Sequence, residues 1–336
     1  MQLFRIALLS LGLVAPAQAQ VDAAVVSMGA SVLKIEVQRV QGGYSLGSGV
    51  VVGPGKIVTN CHVTRDAVQI HVLRGGARWH VEAQASDIAH DLCLLHVPQL
   101  QASAVGLGRT DDLRVGQPLL ALGYTGGTVM QRSHGNVVAL HRHDGSQVIQ
   151  SSNWFNSGAS GGGLFDSELN LVGILTYRMR GAALHYFAAP ADWVRALLDD
   201  KARLRPVRAL PRDQSAYWQR QSADQPRFLR AAQLEREREW PALAELATQW
   251  ASDDSLDAEP WTWRGIALAH MRRLGAARTS LEQALVLEPN LGDALFWLGL
   301  LHAQRGRFGD AREAQSRLAA LQPELARKLG LVIDRP

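Results

Sequence analysis

The chain has 336 residues, 47% hydrophobic and 20% charged. At roughly 150 residues per domain this length predicts two domains, and the composition excludes a disordered or collagen-like chain. Lys and Arg number 35 against 31 Asp and Glu, a formal net charge of +4 with no basic block, so nucleic acid is not the expected partner. Two cysteines exclude a disulfide-dense scaffold but leave room for one bridge.

Residues 1–19 read as a secretory signal rather than part of the fold. Met1–Arg5 carries one positive charge, Ile6–Val14 is a short apolar run, and Ala17-Gln18-Ala19 is a small-residue cleavage site, with processing expected before Gln20. The run is too short to span a bilayer comfortably, and no later stretch approaches about 18 apolar residues. An exported chain, periplasmic or secreted, is therefore expected, with no stable membrane insertion after processing. Loss of residues 1–19 removes Arg5 and no acid, lowering the formal charge from +4 to +3. Export also places the cysteines where disulfides persist.

From Ser27 to about Tyr186 the texture is β. Short runs rich in Val, Ile and Leu, such as Ser31–Val40, Lys56–Thr59, Leu92–Val97 and Leu171–Thr176, are bounded by Gly, Asp and Asn. Many short strands with turn signals point to a sandwich or barrel rather than βαβ units. A helical pattern first appears at Ala191–Asp200. Residues 201–225 are basic and weakly patterned and read as a linker or docking strap. From Pro226 to residue 336 the chain is rich in Ala, Leu, Glu and Arg with helical periodicity. It also repeats: Trp263 and Trp297, Gly265 and Gly299, Gly275 and Gly309, Ala277 and Ala311, and Pro289 and Pro323 each stand 34 apart. This pattern resembles the tetratricopeptide repeat, a helix–turn–helix unit. Arg238-Glu239-Trp240-Pro241-Ala242 echoes Arg273-Leu274-Gly275-Ala276-Ala277 at a spacing of 35, which predicts an earlier, degenerate copy. Such units need neighbours to bury their faces.

Three segments of the β region carry chemistry together: Gly47–Val52 with Ile57–Val63, Asp91–Val97, and Asn156–Leu164. A serine hydroxyl is a poor nucleophile at neutral pH and needs an adjacent base. Histidine titrates near neutrality and suits that role, and a carboxylate can hold its tautomer. The segments Thr59-Asn60-Cys61-His62-Val63, Asp91-Leu92-Cys93-Leu94-Leu95 and Gly158-Ala159-Ser160-Gly161-Gly162 resemble, in order, the motifs of chymotrypsin-fold serine proteases, most closely the HtrA/Deg type. The resemblance covers about residues 27–200 and extends to Val172-Gly173-Ile174 and Phe187-Ala188-Ala189-Pro190. It implies a trypsin-like double β-barrel over 20–200, followed by the helical repeats. It further implies Ser160 as nucleophile, His62 as base and Asp91 as the orienting acid, with the backbone N–H groups of Gly158 and Ser160 as oxyanion donors. Asp87 is the rival acid; Asp91 is preferred because it directly precedes the apolar run Leu92–Val97. His90 and His96 read as exposed or structural. His141 and His143 form a lone H-x-H pair, weak evidence for a metal, and no metal or cofactor is expected.

Departures from the wider family matter. Ala159 stands where vertebrate digestive enzymes carry an Asp that pairs with a new amino terminus, although HtrA-type enzymes lack that Asp too. Repeats stand where that type usually has a PDZ domain. If His62 and Asp91 hydrogen-bond, their neighbours Cys61 and Cys93 fall within disulfide reach. Ser152-Asn153-Trp154-Phe155 offers no carboxylate, which disfavours cleavage after Arg or Lys and suggests a shallow pocket for small or medium aliphatic residues. The implied activity is exported serine endopeptidase acting on protein or peptide substrates, its repeats recruiting a partner or regulating the protease. A catalytically silent protease-fold scaffold that acts through the repeats is the alternative, and acyl transfer to non-peptide substrates is a weaker third reading. Arg264, Arg272, Arg273, Arg278, Arg305, Arg307 and Arg312 hint at acidic repeat ligands.

Overall fold

The computed structural model describes residues 28–334, apart from 128, 181–183 and 200–203. The signal reading of residues 1–19 lies outside the described residues. Among the described residues no helix is long and apolar enough to cross a membrane.

The first half builds strands β1 (Val32–Arg39), β2 (Tyr44–Gly53), β3 (Lys56–Asn60), β4 (Ala67–Arg74), β5 (Ala77–His80), β6 (Ala83–Asp87) and β7 (Leu92–His96). Alternation of apolar and polar residues assigns one face of each strand to the interior. In β1, Leu33, Ile35 and Val37 are fully buried, and they meet Val51, Ile57, Ile70, Val72 and Leu95 in one core. The single-turn helix α1 (Cys61–Thr64) follows β3 without an intervening loop. The second half adds β8 (Pro118–Thr125), β9 (Val129–His143), β10 (Ser146–Ser151), β11 (Gly163–Phe165), β12 (Leu171–Arg180) and β13 (Leu184–Pro190), then helix α2 (Ala191–Asp199). These six strands close in the order β10-β13-β12-β11-β8-β9. Among the described residues only this half is a closed barrel. The first half is an eight-stranded sheet, β14-β6-β7-β3-β2-β1-β4-β5, whose last strand, β14 (Arg205–Pro206), comes from beyond α2. Arg205 and Pro206 pair with Gln84 and Ala83 along β6, so the edge that closure would use is taken by a distant segment.

Residues 204–225 lie against the β half along their length. Leu210 is buried with Cys61, Ile88 and Cys93, and its N–H donates to Arg65 O. Tyr217 is fully buried, and its N–H donates to Ala89 O.

Seven helices follow: α3 (Arg227–Glu237), α4 (Trp240–Asp253), α5 (Ala258–His270), α6 (Leu274–Leu287), α7 (Gly292–Gln304), α8 (Phe308–Leu321) and α9 (Pro323–Ile333). The repeat has a structural cause. Arg238, Arg272 and Gly306 are left-handed, with φ of 61°, 61° and 71°. The following N–H groups, of Glu239, Arg273 and Arg307, reach back to Leu234, Leu268 and His302 O. This is the Schellman termination, which ends a helix and starts the next at a fixed angle. α4, α6 and α8 thus begin at Trp240, Leu274 and Phe308, a 34-residue period throughout, where the sequence echo had suggested 35 for the first copy. Gly265 and Gly299 mark close helix approaches: an added Cβ would lie 2.5 Å from Leu281 and from Leu329 respectively.

The helical half docks on the closed barrel at both ends. At one end, buried His141 pairs with Glu259 at 2.9 Å, stacks on Phe228 with ring centroids 4.4 Å apart, and adjoins the Arg142–Asp254 ion pair. At the other, Leu291 packs against the barrel core, and Leu321 closes on Gly116, where a Cβ would lie 2.5 Å from it. None of the seven arginines singled out from the sequence lines the cavity of about 350 Å³ between helices and barrel; Glu235 and Asp293 do, among aromatics. Arg278, Arg307 and Arg312 are taken up locally by Glu282, Asp310 and Asp334.

Two predictions follow from this packing. Left-handed backbone costs a non-glycine residue about 1 kcal/mol, so Arg272→Gly should raise unfolding free energy by about 0.5–1 kcal/mol in urea titration. The interface should also weaken as pH rises. Burial opposes a charge on His141, but the Glu259 carboxylate, the Gln150 hydrogen bond and nearby Asp257 outweigh it and raise its pKa above 6.5. A histidine raised on folding stabilises fully below its unfolded pKa and loses that contribution as pH passes its folded pKa. Burial, then the Glu259 charge, raises Asp257 to about 6, so its contribution is lost between about pH 4 and 6, below the range in which His141 acts. The melting temperature should fall from pH 6 to 8, and His141→Gln should flatten that slope.

Candidate active site

The site lies where the two β halves meet. Asn60 ends β3, and the chain turns at once into α1, which carries His62. Asp91 sits in the turn before β7 in a left-handed conformation (φ 60°), which Asp tolerates better than most residues. Both its carboxylate oxygens accept from His62: Oδ1 from the backbone N–H at 2.8 Å and Oδ2 from Nδ1 at 2.6 Å. Asp91 is 2% exposed, so its carboxylate is sheltered from competing water, while the His62 side chain is partly open. The carboxylate fits the tautomer in which Nδ1–H donates to it and the lone pair lies on Nε2, which makes no hydrogen bond within the described residues. Asp87 is engaged elsewhere, 2.7 Å from His90 Nδ1.

Ser160 lies in the loop before β11. Its Oγ points to Thr176 O at 3.4 Å, and no hydrogen bond joins it to His62. Their segments nonetheless meet at Gly47. A methyl added to Gly47 would lie 2.5 Å from Val63, which follows His62, and 3.3 Å from Ser160 O. The loop is shaped by glycine where no side chain fits. At Gly158, φ is 96° and a Cβ would sit 2.5 Å from Tyr124 O; at Gly161, φ is 86° and a Cβ would sit 2.1 Å from Ser48 O. Gly126 N–H donates to Ser157 O at 2.8 Å. A planar trans peptide points its C=O and N–H in opposite directions, so this bond sends the Gly158 N–H away from Gly126. Neither the Gly158 nor the Ser160 N–H has an acceptor within the described residues.

Several residues without an assigned role in the sequence reading prove central. Ser48, on β2, holds the Ser160 loop at two points. Its Oγ donates to Gly158 O and accepts from Tyr124 N–H, each at 2.8 Å, while its N–H donates to Ser160 O. Thr59 Oγ1 in turn donates to Ser48 O. Fully buried Asn60 donates through Nδ2 to Asp91 O at 3.0 Å and to Thr176 Oγ1 at 3.2 Å, joining the acid turn to β12. Both lie inside quoted motifs, but only the fold reveals their partners. Phe155 is buried against Tyr186 in the closed barrel, while Trp154 is 47% exposed. The space among Gly123, Trp154, Phe155, Ala159 and Leu175 is about 10 Å³. Cys61 and Cys93 form a disulfide with α-carbons 4.9 Å apart, directly beside His62 and in the strand that follows Asp91. His141 and His143 do not converge on one point: His141 faces Glu259 and Gln150, and His143 lies against Tyr217 and Trp193.

Residues 47–174 match the trypsin-like peptidase domain family. The chain is 35% identical over 169 residues to serine protease HTRA4 of Mus musculus, covering 46% of this chain and 34% of that protein. It is 29% identical over 167 residues to a probable periplasmic serine endoprotease, DegP-like, of Chlamydia pneumoniae, covering 47% of this chain and 34% of that one. The chain thus spans about a third of the length of the curated relatives it matches. Among solved structures, a variant of the HtrA-type protease AlgW with a tripeptide superimposes at a TM-score of 0.50 and 28% identity, covering 55% of this chain and 64% of that one. These likenesses, to a trypsin-like peptidase domain and to HtrA-type proteases, all fall in the β-rich half.

The bridge closes a 32-residue separation. On the chain-entropy account, Cys61→Ser with Cys93→Ser should lower unfolding free energy by roughly 3–4 kcal/mol, read from denaturant curves of the oxidised protein and the double variant.

Proposed function

We propose that the chain is an exported serine endopeptidase whose repeats, of tetratricopeptide type, regulate the protease or recruit its partners. The observation that carries the reading is the paired grip of Asp91 on His62, which leaves Nε2 as a free base beside the Ser160 loop. Rotation of Ser160 about χ1 exchanges the long bond to Thr176 O for one to Nε2. His62 then takes the hydroxyl proton as Oγ attacks the scissile carbonyl, and buried Asp91 stabilises the resulting imidazolium. Negative charge develops on the carbonyl oxygen, and the unpartnered N–H groups of Gly158 and Ser160 are the donors for it. His62 next gives its proton to the leaving amine, and water hydrolyses the acyl-enzyme by the same steps in reverse order. The small space beside Ala159 favours small aliphatic side chains at the cleaved residue. Export is supported by the periplasmic description of the DegP-like relative and by the disulfide, which persists in oxidising compartments.

Because the repeats close on the barrel through His141, Glu259 and Phe228, a partner bound to them acts on the half that carries Ser160. The catalytically silent scaffold draws its support from the Ser160 Oγ bond to Thr176 O. A fluorophosphonate probe separates the two. The enzyme labels, Ser160→Ala abolishes labelling, and Asp91→Asn slows peptide turnover by about 10⁴-fold. Gly158→Ala, which has no room for its methyl, should cost at least about 100-fold. Folded protein that never labels is a scaffold.

A further inference from the structure

The segment between barrel and helices contributes a residue to the cleft. Residues 205–218 are fixed to the His62–Asp91 side by β14, by Leu210 N–H to Arg65 O, by Arg65 Nη2 to Gln214 O at 3.1 Å, and by Tyr217 N–H to Ala89 O. Arg65 stands three residues after His62, and Ala89 two before Asp91. From this anchorage Trp218 reaches across the cleft. Its ring meets the His62 ring edge-on with centroids 5.9 Å apart, and stacks on Tyr177 of β12 at 4.9 Å and 16°. Tyr177 is backed in turn by Phe187 at 4.7 Å. Gln225 Nε2 donates to Trp218 O and Arg220 O, closing the turn that leads into α3.

This placement bears on substrate. β11 pairs with β12 only as far as Ile174, and Gly161 and Gly162 carry the pairing to Leu175. Past Thr176, β12 has β13 on one side and, among the described residues, no strand on the other. That open edge begins at Ser160. A peptide presenting its carbonyl to Ser160 would add to this edge as an antiparallel strand, the general mode of strand addition. The side chain one residue before the cleaved one then lies over His62 and Tyr177, where the Trp218 ring already stands.

We infer that Trp218 is a specificity-determining residue, the wall that confines the substrate residue preceding the cleaved one to Gly, Ala or Ser. This rests on the protease reading above. The wall belongs to the segment that leads into the repeats, although that segment is itself anchored on the β half.

The test uses the full chain, with a peptide series varied only at the residue before the cleavage point and with a small fluorophosphonate to report a competent serine. The wild type should prefer Ala over Leu there by at least tenfold in kcat/KM. Trp218→Ala should raise the Leu-to-Ala ratio at least tenfold, mainly through KM, and Trp218→Phe should raise it less. If the alanine variant does not fold, the phenylalanine variant carries the comparison, and a ratio within error of the wild type overturns the inference. So does a wild type that accepts Leu and Ala equally, or a uniform gain on all peptides, which would make the ring a cover over the serine rather than a sorter of side chains. Folded wild type that does not label removes the protease reading, and this inference with it.

Discussion

The two β halves share an apolar cluster in which Val50, Val58 and Leu92 meet Leu122, Phe165 and Ile174, and the hydroxyl of Ser48 fixes how they meet beside the Ser160 loop. It sits on the first sheet and bonds two backbone sites of the second half, Gly158 O and Tyr124 N–H, while its own N–H holds Ser160 O. A buried hydroxyl satisfied as donor and acceptor at once is a directional constraint, because losing either partner strands a polar group away from water. Asn60 repeats the device on the other side of the seam, tying the acid turn to β12. The seam between the halves is therefore polar where it borders the cleft, whereas apolar contact would have tolerated sliding.

The same logic explains the glycines of the Ser160 loop. With Ser48 O, Thr59 Oγ1 and Tyr124 O this near, no side chain fits at Gly158 or Gly161, and their positive φ values excludes most other residues in any case. The loop is thus held by contacts from outside itself. The disulfide acts on the opposite partner, joining the one-turn helix of His62 to the strand that follows Asp91.

Much of this was legible in the sequence, and what was not has physical causes. The 34-residue period stood out because Gly265 and Gly299 must each yield to a neighbouring leucine, a demand that repeats with the unit. The first copy was harder to register because Ala231 and Pro241 stand 34 residues before Gly265 and Gly275, so the marker glycines are missing. His62, Asp91 and Ser160 were nominated by motif, and Ser48 and Asn60 lay inside the same motifs. Their importance depends on hydrogen bonds to residues 110 and 116 positions away, which no local pattern encodes. The open form of the first sheet was hidden for a related reason: β14 reaches β6 across more than a hundred residues, and a two-residue strand leaves no periodic trace. Trp154 and Phe155 looked equivalent as neighbours, yet successive residues of an extended chain face opposite ways, and only Phe155 turns inward.

A stack of helices fastened at one end can bend like a spring, whereas this one is fastened at two. Phe228 and Glu259 grip the closed barrel near the start of the array, and Leu291 and Leu321 grip it further along. Its curvature is therefore not free to vary alone. Any ligand that straightened or tightened the arc would have to strain the barrel between the two fastenings, or release one of them, and that barrel carries the loop of Ser160.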